Sequence, residues 1–118
     1  MITVKATREG LLGHKTASGY VIDNIVSFVA LPAATALHRF VRVTNPLNGK
    51  TTLAQVLDVG PFNVADTAYV FGTSRPEAEA GHSLSGDGTN HAGIDLGGYV
   101  WRVLGMLDNT DVTWSFAD

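Results

Sequence analysis

TTLAQVLDVGPF, residues 51–62, is the stretch from which the fold is predicted most directly. Polar and apolar residues alternate at its start, and an apolar run follows. This pattern is typical of a β-strand entering a core. The strand delivers one carboxylate, Asp58, and Gly60-Pro61 ends it at once. Because a charge at such a point is half desolvated, its pKa can be shifted and used in chemistry. The alternative is an aspartate that only hydrogen-bonds the backbone of its turn.

A second strand is predicted directly before this stretch. Residues 39–44, RFVRVT, alternate, and Asn48-Gly49 in the turn that follows is a strong hairpin signal. Residues 39–44 and 51–57 are therefore predicted to be antiparallel neighbours. The remaining predicted elements are strands at 2–7 and 111–116, an extended entry with one helical turn within 27–37, and a helix over 99–106 that ends at Gly105.

Residues 63–91 differ from the rest of the chain. They are rich in glycine and contain few branched apolar residues. A loop of this length inside a compact domain is usually functional or mobile. We predict a lid or the wall of a groove, with a disordered insertion as the alternative.

Composition restricts the classes of protein to which the chain can belong. Its 118 residues predict one domain, 1–118, with a single core. A net charge of −3 with eight Lys and Arg residues argues against nucleic acid as a partner. The absence of cysteine excludes disulfides and thiolate sites, and the four histidines lack metal-ligand spacing, so we predict no metal and no cofactor.

Membrane and export signals are also absent from the sequence. No apolar run approaches the roughly 18–20 residues of a membrane span, and MITVKATREG lacks the basic-then-apolar order of a signal peptide. We expect a protein that is cytoplasmic as made, or one whose export signal has been removed.

Three stretches in register resemble the rare lipoprotein A-like family. They are GHKTASG at 13–19, RVTNPLNGKTTLAQVLDVGPF at 42–62, and GIDLG at 93–97 before a predicted helix. That family has a "TASG" loop, a strand ending in "DRGPF", and an "IDLS" element that opens a helix. The resemblance implies a mainly β fold: a six-stranded double-psi β-barrel with one or two short helices and a loop insertion at 63–91. The rare lipoprotein A-like family shares this fold with expansin, barwin and the membrane-bound lytic transglycosylase A.

The resemblance also implies a ligand and a set of site residues. The ligand is peptidoglycan or another β-1,4-linked glycan, bound or cut in a groove across the barrel. The catalytic residues that it implies are Asp58 and Asp95. The predicted substrate-binding residues are Thr16 and Ser18 in the "TASG" loop, Tyr20 at the position of a family glutamate, Asp23 as the acidic residue after the loop, and His91 beside GIDLG.

The predicted chemistry is cleavage of the lytic transglycosylase type. One general acid protonates the glycosidic oxygen, and the same carboxylate then takes the proton of the muramyl 6-hydroxyl, so no water is needed. Hydrolysis would instead need two carboxyls, about 5–5.5 Å apart for retention or about 6.5–9.5 Å for inversion. We predict that Asp58 is the acid/base and that Asp95 raises its pKa, or the reverse.

Three other functions stay open at this point. Leu31-Pro32 stands where the family has a histidine, and Val59 stands where it has an arginine. Tyr20 stands where the family has a glutamate, and the loss of this glutamate and of the histidine favours a non-catalytic, expansin-like glycan-binding module. A structural barrel of a phage or secretion machine is a further alternative, which reaches the cell wall by lysis or injection. The VLDVG sequence also allows an aspartic protease built from a symmetric dimer; the sequence leaves the oligomeric state open.

Overall fold

A computed structural model describes residues 1–118. Its strands are β1 (Ile2–Glu9), β2 (Phe28–Leu31), β3 (Phe40–Thr44), β4 (Thr51–Val59), β5 (Ile94–Gly97) and β6 (Asp111–Phe116). They close into a barrel in the order β1-β5-β2-β4-β3-β6. The helices are α1 (Thr67–Val70) and α2 (Gly98–Val103), and 3₁₀ turns lie at Ala34–Ala36 and Glu77–Ala80. This mainly β, six-stranded barrel with short helices confirms the predicted fold class.

The barrel mixes parallel and antiparallel pairs. β1 pairs with β5, and β2 with β4, in parallel, whereas β5 pairs with β2 in antiparallel orientation. The predicted hairpin is confirmed, with β3 antiparallel to β4 across the Asn45–Gly49 turn. Neither helix has the length and apolar character needed to cross a bilayer.

The core is built from alternate residues of every strand. Val4 and Ala6 of β1, for example, lie beside Ile94 and Leu96 of β5, and all four are buried. Because side chains of a strand point to alternate faces, the residues between them face outward. One small apolar group, Ile22, Phe28 and Leu57 with Tyr20 against it, packs on that outer side.

The segment at 63–91 contributes two residues to the main core. The segment contains α1, and Tyr69 and Val70 of this helix are buried in the main core. The Tyr69 hydroxyl donates to the Gly93 carbonyl and accepts from Trp114 Nε1, both at 2.8 Å. The burial of one aromatic ring fixes a stretch whose composition resembles that of a loop.

Candidate functional site

The two aspartates predicted to be catalytic lie in one row across four strands. Asp95 of β5 pairs with Thr7 of β1 on one side and with Ala30 of β2 on the other, and Ala30 also pairs with Asp58 of β4. Cross-strand partners point to the same face of a sheet. Ile94 and Leu96 fill the core, so this row faces outward. Two strand spacings, roughly 9–10 Å, separate the Cα atoms of Asp58 and Asp95.

A β-bulge turns Asp58 to this outer face. In a regular strand Asp58 would share the inward direction of Val56, which lies two residues before it. Val56 pairs with Val29, but Asp58 pairs with the next residue of β2, Ala30, so Leu57 is the extra residue. The register shift places Asp58 beside Ala30 and on the same side as Asp95.

The loop that carries Thr16 and Ser18 is fixed against the end of β4. The Ala17 N–H donates to Asp58 Oδ1 at 2.9 Å, and the Ser18 N–H donates to the Leu57 carbonyl at 3.3 Å. The Val59 N–H also donates to Asp58 Oδ1 at 2.9 Å. The hydroxyls of Thr16 and Ser18 share a hydrogen bond of 2.9 Å. The structure thus brings these two predicted residues next to Asp58.

Glu9 is a third carboxyl at the site, and our sequence analysis missed it. Burial, the contact with Asp58 and the charge of Asp95 raise the pKa of Glu9 to about 9. The contact with Asp58 does not satisfy the whole carboxyl, because Glu9 Oε2 is buried without a hydrogen-bond partner. β1 continues two residues beyond the predicted strand, and Glu9 keeps the outward alternation of Lys5 and Thr7. That alternation is the signal that could have found it.

The pKa of Asp95 is also raised, but by less than that of Glu9. Burial raises the pKa of Asp95 to about 6, the Thr7 hydroxyl that donates to its Oδ1 lowers it, and the charge of Asp58 raises it. At pH 7 Glu9 is therefore neutral while most Asp95 side chains are ionised. The site therefore holds the carboxylic acid of Glu9 and the carboxylate of Asp95.

A cavity of about 510 Å³ opens beside these groups and is called the carboxyl cavity below. Its wall is mostly polar and consists of Thr7, Arg8, Glu9, Gly10, Leu11, Pro61, Phe62, Asn90, Asp95 and Asn109. The Phe62 ring is 44% exposed. Asp58 is not part of the wall and contacts the site through Glu9.

Tyr20 and Asp23 lie together and outside the carboxyl cavity. The Tyr20 hydroxyl donates to Asp23 Oδ1 at 2.5 Å, and the Tyr20 ring packs edge-on against Phe28. Asp23 also accepts hydrogen bonds from the N–H groups of Ile25 and Val26. The hydrogen bond from Tyr20 lowers the pKa of Asp23 most, and those two backbone hydrogen bonds lower it further. Both side chains are engaged in holding the loop before β2.

His91 directly follows a residue of the cavity wall in sequence but does not itself line the carboxyl cavity. Its Nδ1 donates to the Glu79 carbonyl at 3.0 Å, which holds the ring over Gly81. The preceding residue, Asn90, is the one that reaches the cavity wall. Across the chain, no group of three or more His, Asp or Glu side chains has the arrangement of a metal site.

Comparison with known proteins gives a family and a structural neighbour. Residues 1–115 match the model of a protein family described as "Domain of unknown function (DUF8814)". No curated protein matches the sequence. Among solved structures, Streptomyces papain inhibitor (SPI) is similar, with a TM-score of 0.51 and 18% identity over 96% of this chain and 92% of that chain. At this identity the likeness concerns the barrel fold, and the resemblance to the rare lipoprotein A-like family is supported at that level alone.

Proposed function

The chain belongs to the family described as "Domain of unknown function (DUF8814)", and we propose that it binds a glycan in the carboxyl cavity and cleaves it by acid catalysis. One observation carries this proposal. Glu9, which keeps its proton at pH 7, lines a polar cavity together with Asp95 and contacts Asp58. General acid catalysis needs a group of this kind beside a space for substrate.

The walls of the carboxyl cavity favour a sugar as the ligand. Amide side chains of Asn90 and Asn109 and the Thr7 hydroxyl offer hydrogen bonds to hydroxyl and N-acetyl groups. The partly exposed Phe62 ring offers a flat apolar surface against which a pyranose ring can lie. The proposed ligand class is a β-1,4-linked glycan such as peptidoglycan. Its site of action would then be the cell wall, reached by lysis, by injection or through an export signal removed earlier.

In the proposed reaction, Glu9 takes the role of proton donor that the sequence assigned to Asp58. The Glu9 carboxyl gives its proton to the glycosidic oxygen as the bond from that oxygen to C1 breaks. The muramyl 6-hydroxyl then bonds to C1 and returns its proton to the Glu9 carboxylate, so no water is consumed. Burial keeps the proton on Glu9, and the contact with Asp58, which the Ala17 and Val59 N–H groups orient, adds to this effect. The Asp95 carboxylate stabilises the positive charge that develops on the sugar ring.

Turnover of purified peptidoglycan tests this assignment. Glu9→Gln keeps the shape of the side chain but has no acidic proton, so we expect product release to fall about 100-fold or more. Glu77→Gln is the matched control, because the Glu77 side chain is exposed and makes no hydrogen bond. Anhydromuropeptide products support the lytic route, whereas new reducing ends indicate hydrolysis. Wild-type activity in Glu9→Gln would refute the role of Glu9.

The departures from the family motif favour a second candidate, binding without cleavage. In that case the protein sediments with cell-wall sacculi, releases no soluble product, and Glu9→Gln sediments equally well. A wild-type protein that neither sediments with sacculi nor releases product would contradict both glycan proposals.

A protein partner is a third candidate, and exposed apolar side chains near the site favour it. Leu11, Leu12, Val21 and Ile25 are between 50% and 77% exposed in the loops between β1 and β2. Such side chains are suited to a protein interface. The name of the structural neighbour states that it inhibits papain. Inhibition of papain by the wild-type chain, lost in Leu11→Asp, would support this candidate over glycan cleavage.

A further inference from the structure

A second cavity, of about 590 Å³, lies at the start of β1 and the end of β6 and is called the aromatic cavity below. Its wall consists of Met1, Ile2, Arg39, Tyr69, Val70, Phe71, Gly72, Thr73, Arg75, Trp114, Ser115 and Phe116. Helix α1 and the residues that follow it close one side. The volume falls within the range of about 300–1,000 Å³ that is usual for small-molecule sites.

This cavity is separate from the carboxyl cavity. Ile2, the first residue of β1, lines the aromatic cavity, and Glu9, the last residue, lines the carboxyl cavity. Seven residues of extended chain span roughly 23 Å. The two cavities share no lining residue, so a ligand in one does not occupy the other.

Aromatic rings give the second cavity a flat apolar surface. Phe71 and Phe116 stack with 5.4 Å between centroids and an interplanar angle of 9°. Trp114 meets Phe116 edge-on at 5.2 Å. Phe71 is 43% exposed even though it stacks on Phe116. A planar ligand can extend this stack.

Two arginines, Arg39 and Arg75, line the wall, and each is ion-paired with a carboxylate that does not line it. Asp118 holds the Arg39 guanidinium through Nε and Nη2, at 3.2 and 2.7 Å. Glu79 holds Arg75 in the same way, at 2.8 and 2.6 Å. The Arg39 guanidinium also lies 3.9 Å from the centroid of the Phe116 ring.

These contacts fix both guanidinium groups in place and leave part of each free. The Nη1 group of Arg39 and that of Arg75 have no hydrogen-bond partner in the protein. Two positioned donors are thus available beside an aromatic surface. Hydrogen bonds from a guanidinium to a carboxylate are about twice as strong as those between neutral groups.

We infer that the aromatic cavity is a ligand site for a small molecule with a planar aromatic body and one carboxylate. The ring packs against Phe71 and Phe116, and the carboxylate accepts hydrogen bonds from Arg39 or Arg75. The free guanidinium N–H groups favour a carboxylate over a neutral group of the same shape, because a hydrogen bond between charged partners is the stronger one. This site is independent of the proposed glycan chemistry.

Binding of 2-naphthoate to the full chain, followed by NMR, tests this inference. The Trp114 indole N–H is the reporter, because Trp114 lines the cavity. We expect its resonance to shift on titration with 2-naphthoate, and 2-naphthamide to bind at least about tenfold more weakly, since it lacks the charge. No shift with millimolar 2-naphthoate, or equal affinity for the two compounds, would overturn the inference.

Arginine variants locate the site. At least one of the two variants Arg39→Gln and Arg75→Gln is expected to weaken 2-naphthoate binding about tenfold or more, with little change for 2-naphthamide. Arg42→Gln is the control, since Arg42 lies exposed on β3, outside the cavity wall. A loss of binding in Arg42→Gln equal to that in the cavity variants would contradict the location. The comparison of the two compounds on the wild-type chain stands even if a variant fails to fold.

Discussion

Among single residues, Glu9 has the greatest effect on the properties of the site. Its pKa of about 9 means that the folded protein binds a proton at neutral pH that the unfolded chain releases. Between the ordinary pKa of 4.5 and the raised value, the folded state therefore holds more protons than the unfolded state. Stability falls with rising pH wherever this is so.

Glu9→Gln should remove this pH dependence. At pH 4 the variant and the wild type should melt together, because Glu9 is then protonated in both the folded and the unfolded state. At pH 8 the variant should melt about 3 °C or more higher, since it loses no proton on unfolding. Thermal unfolding followed by circular dichroism at both pH values measures the difference. Glu77→Gln should behave as the wild type at both, and a destabilised Glu9→Gln at pH 8 would contradict the prediction.

Thr7 lowers the pKa of the neighbouring Asp95 carboxyl. Its hydroxyl donates to Asp95 Oδ1 and so holds the pKa of Asp95 below the value that burial alone would give. Thr7→Val should therefore raise the Asp95 midpoint above about 6 in an NMR titration of the side-chain carboxyl. Thr3→Val, on the same strand but exposed, is the control. An Asp95 midpoint that is unchanged in Thr7→Val would refute this role.

The family resemblance pointed to Asp58 and Asp95 as a pair of site residues but not to Glu9. Asp58 and Asp95 stand in stretches that resemble a family motif, whereas Glu9 follows an ordinary alternating strand. Its pKa is raised by burial and by Asp58 and Asp95, which are remote in sequence. The conversion of Glu9 into an acid at neutral pH is a property of the assembled barrel.

At the level of elements, the hairpin of β3 and β4 followed from local sequence, but the β-bulge at Leu57 did not. Alternation through Val56 places Asp58 inward, and the extra residue reverses its direction. The packing of the segment at 63–91 could not be predicted from local sequence either. Its glycines indicated a loop, and the burial of Tyr69 is decided by contacts with Gly93 and Trp114 far along the chain.

Tyr69→Phe tests how firmly that segment is bound to the barrel. The change removes one hydroxyl and leaves the Gly93 carbonyl and the Trp114 indole N–H without this partner. We expect the free energy of unfolding to fall by about 1–3 kcal/mol, measured by urea denaturation. Tyr99→Phe is the matched control, because the Tyr99 hydroxyl has no hydrogen-bond partner in the protein. Equal stability of Tyr69→Phe and Tyr99→Phe would mean that the segment is held in another way.

For the molecule as a whole, barrel closure places two cavities of different character at the two ends of β1. The carboxyl cavity is lined by Glu9 and Asp95 together with Arg8, whereas the aromatic cavity is lined by two arginines and several aromatic rings. Their separation of roughly 23 Å along β1 exceeds the Debye length of about 8 Å at physiological ionic strength. The two sites should therefore titrate and bind independently.

Arg39→Gln should accordingly leave the Glu9 titration midpoint unchanged at physiological salt. Screening over this distance leaves no direct electrostatic effect on the carboxyl. The side-chain carboxyl resonance of Glu9, compared between wild type and Arg39→Gln, measures this. A shifted midpoint would show that the two cavities are coupled through the barrel.

The proton on Glu9 is the central claim, and a ¹³C NMR titration of the Glu9 side-chain carboxyl in the wild-type protein tests it most directly. We predict a midpoint near 9, together with an Asp95 midpoint near 6. A Glu9 midpoint near its ordinary value of 4.5 would contradict the claim. The carboxyl cavity would then contain no acid at neutral pH, and the proposed role of Glu9 in cleavage would fail with it.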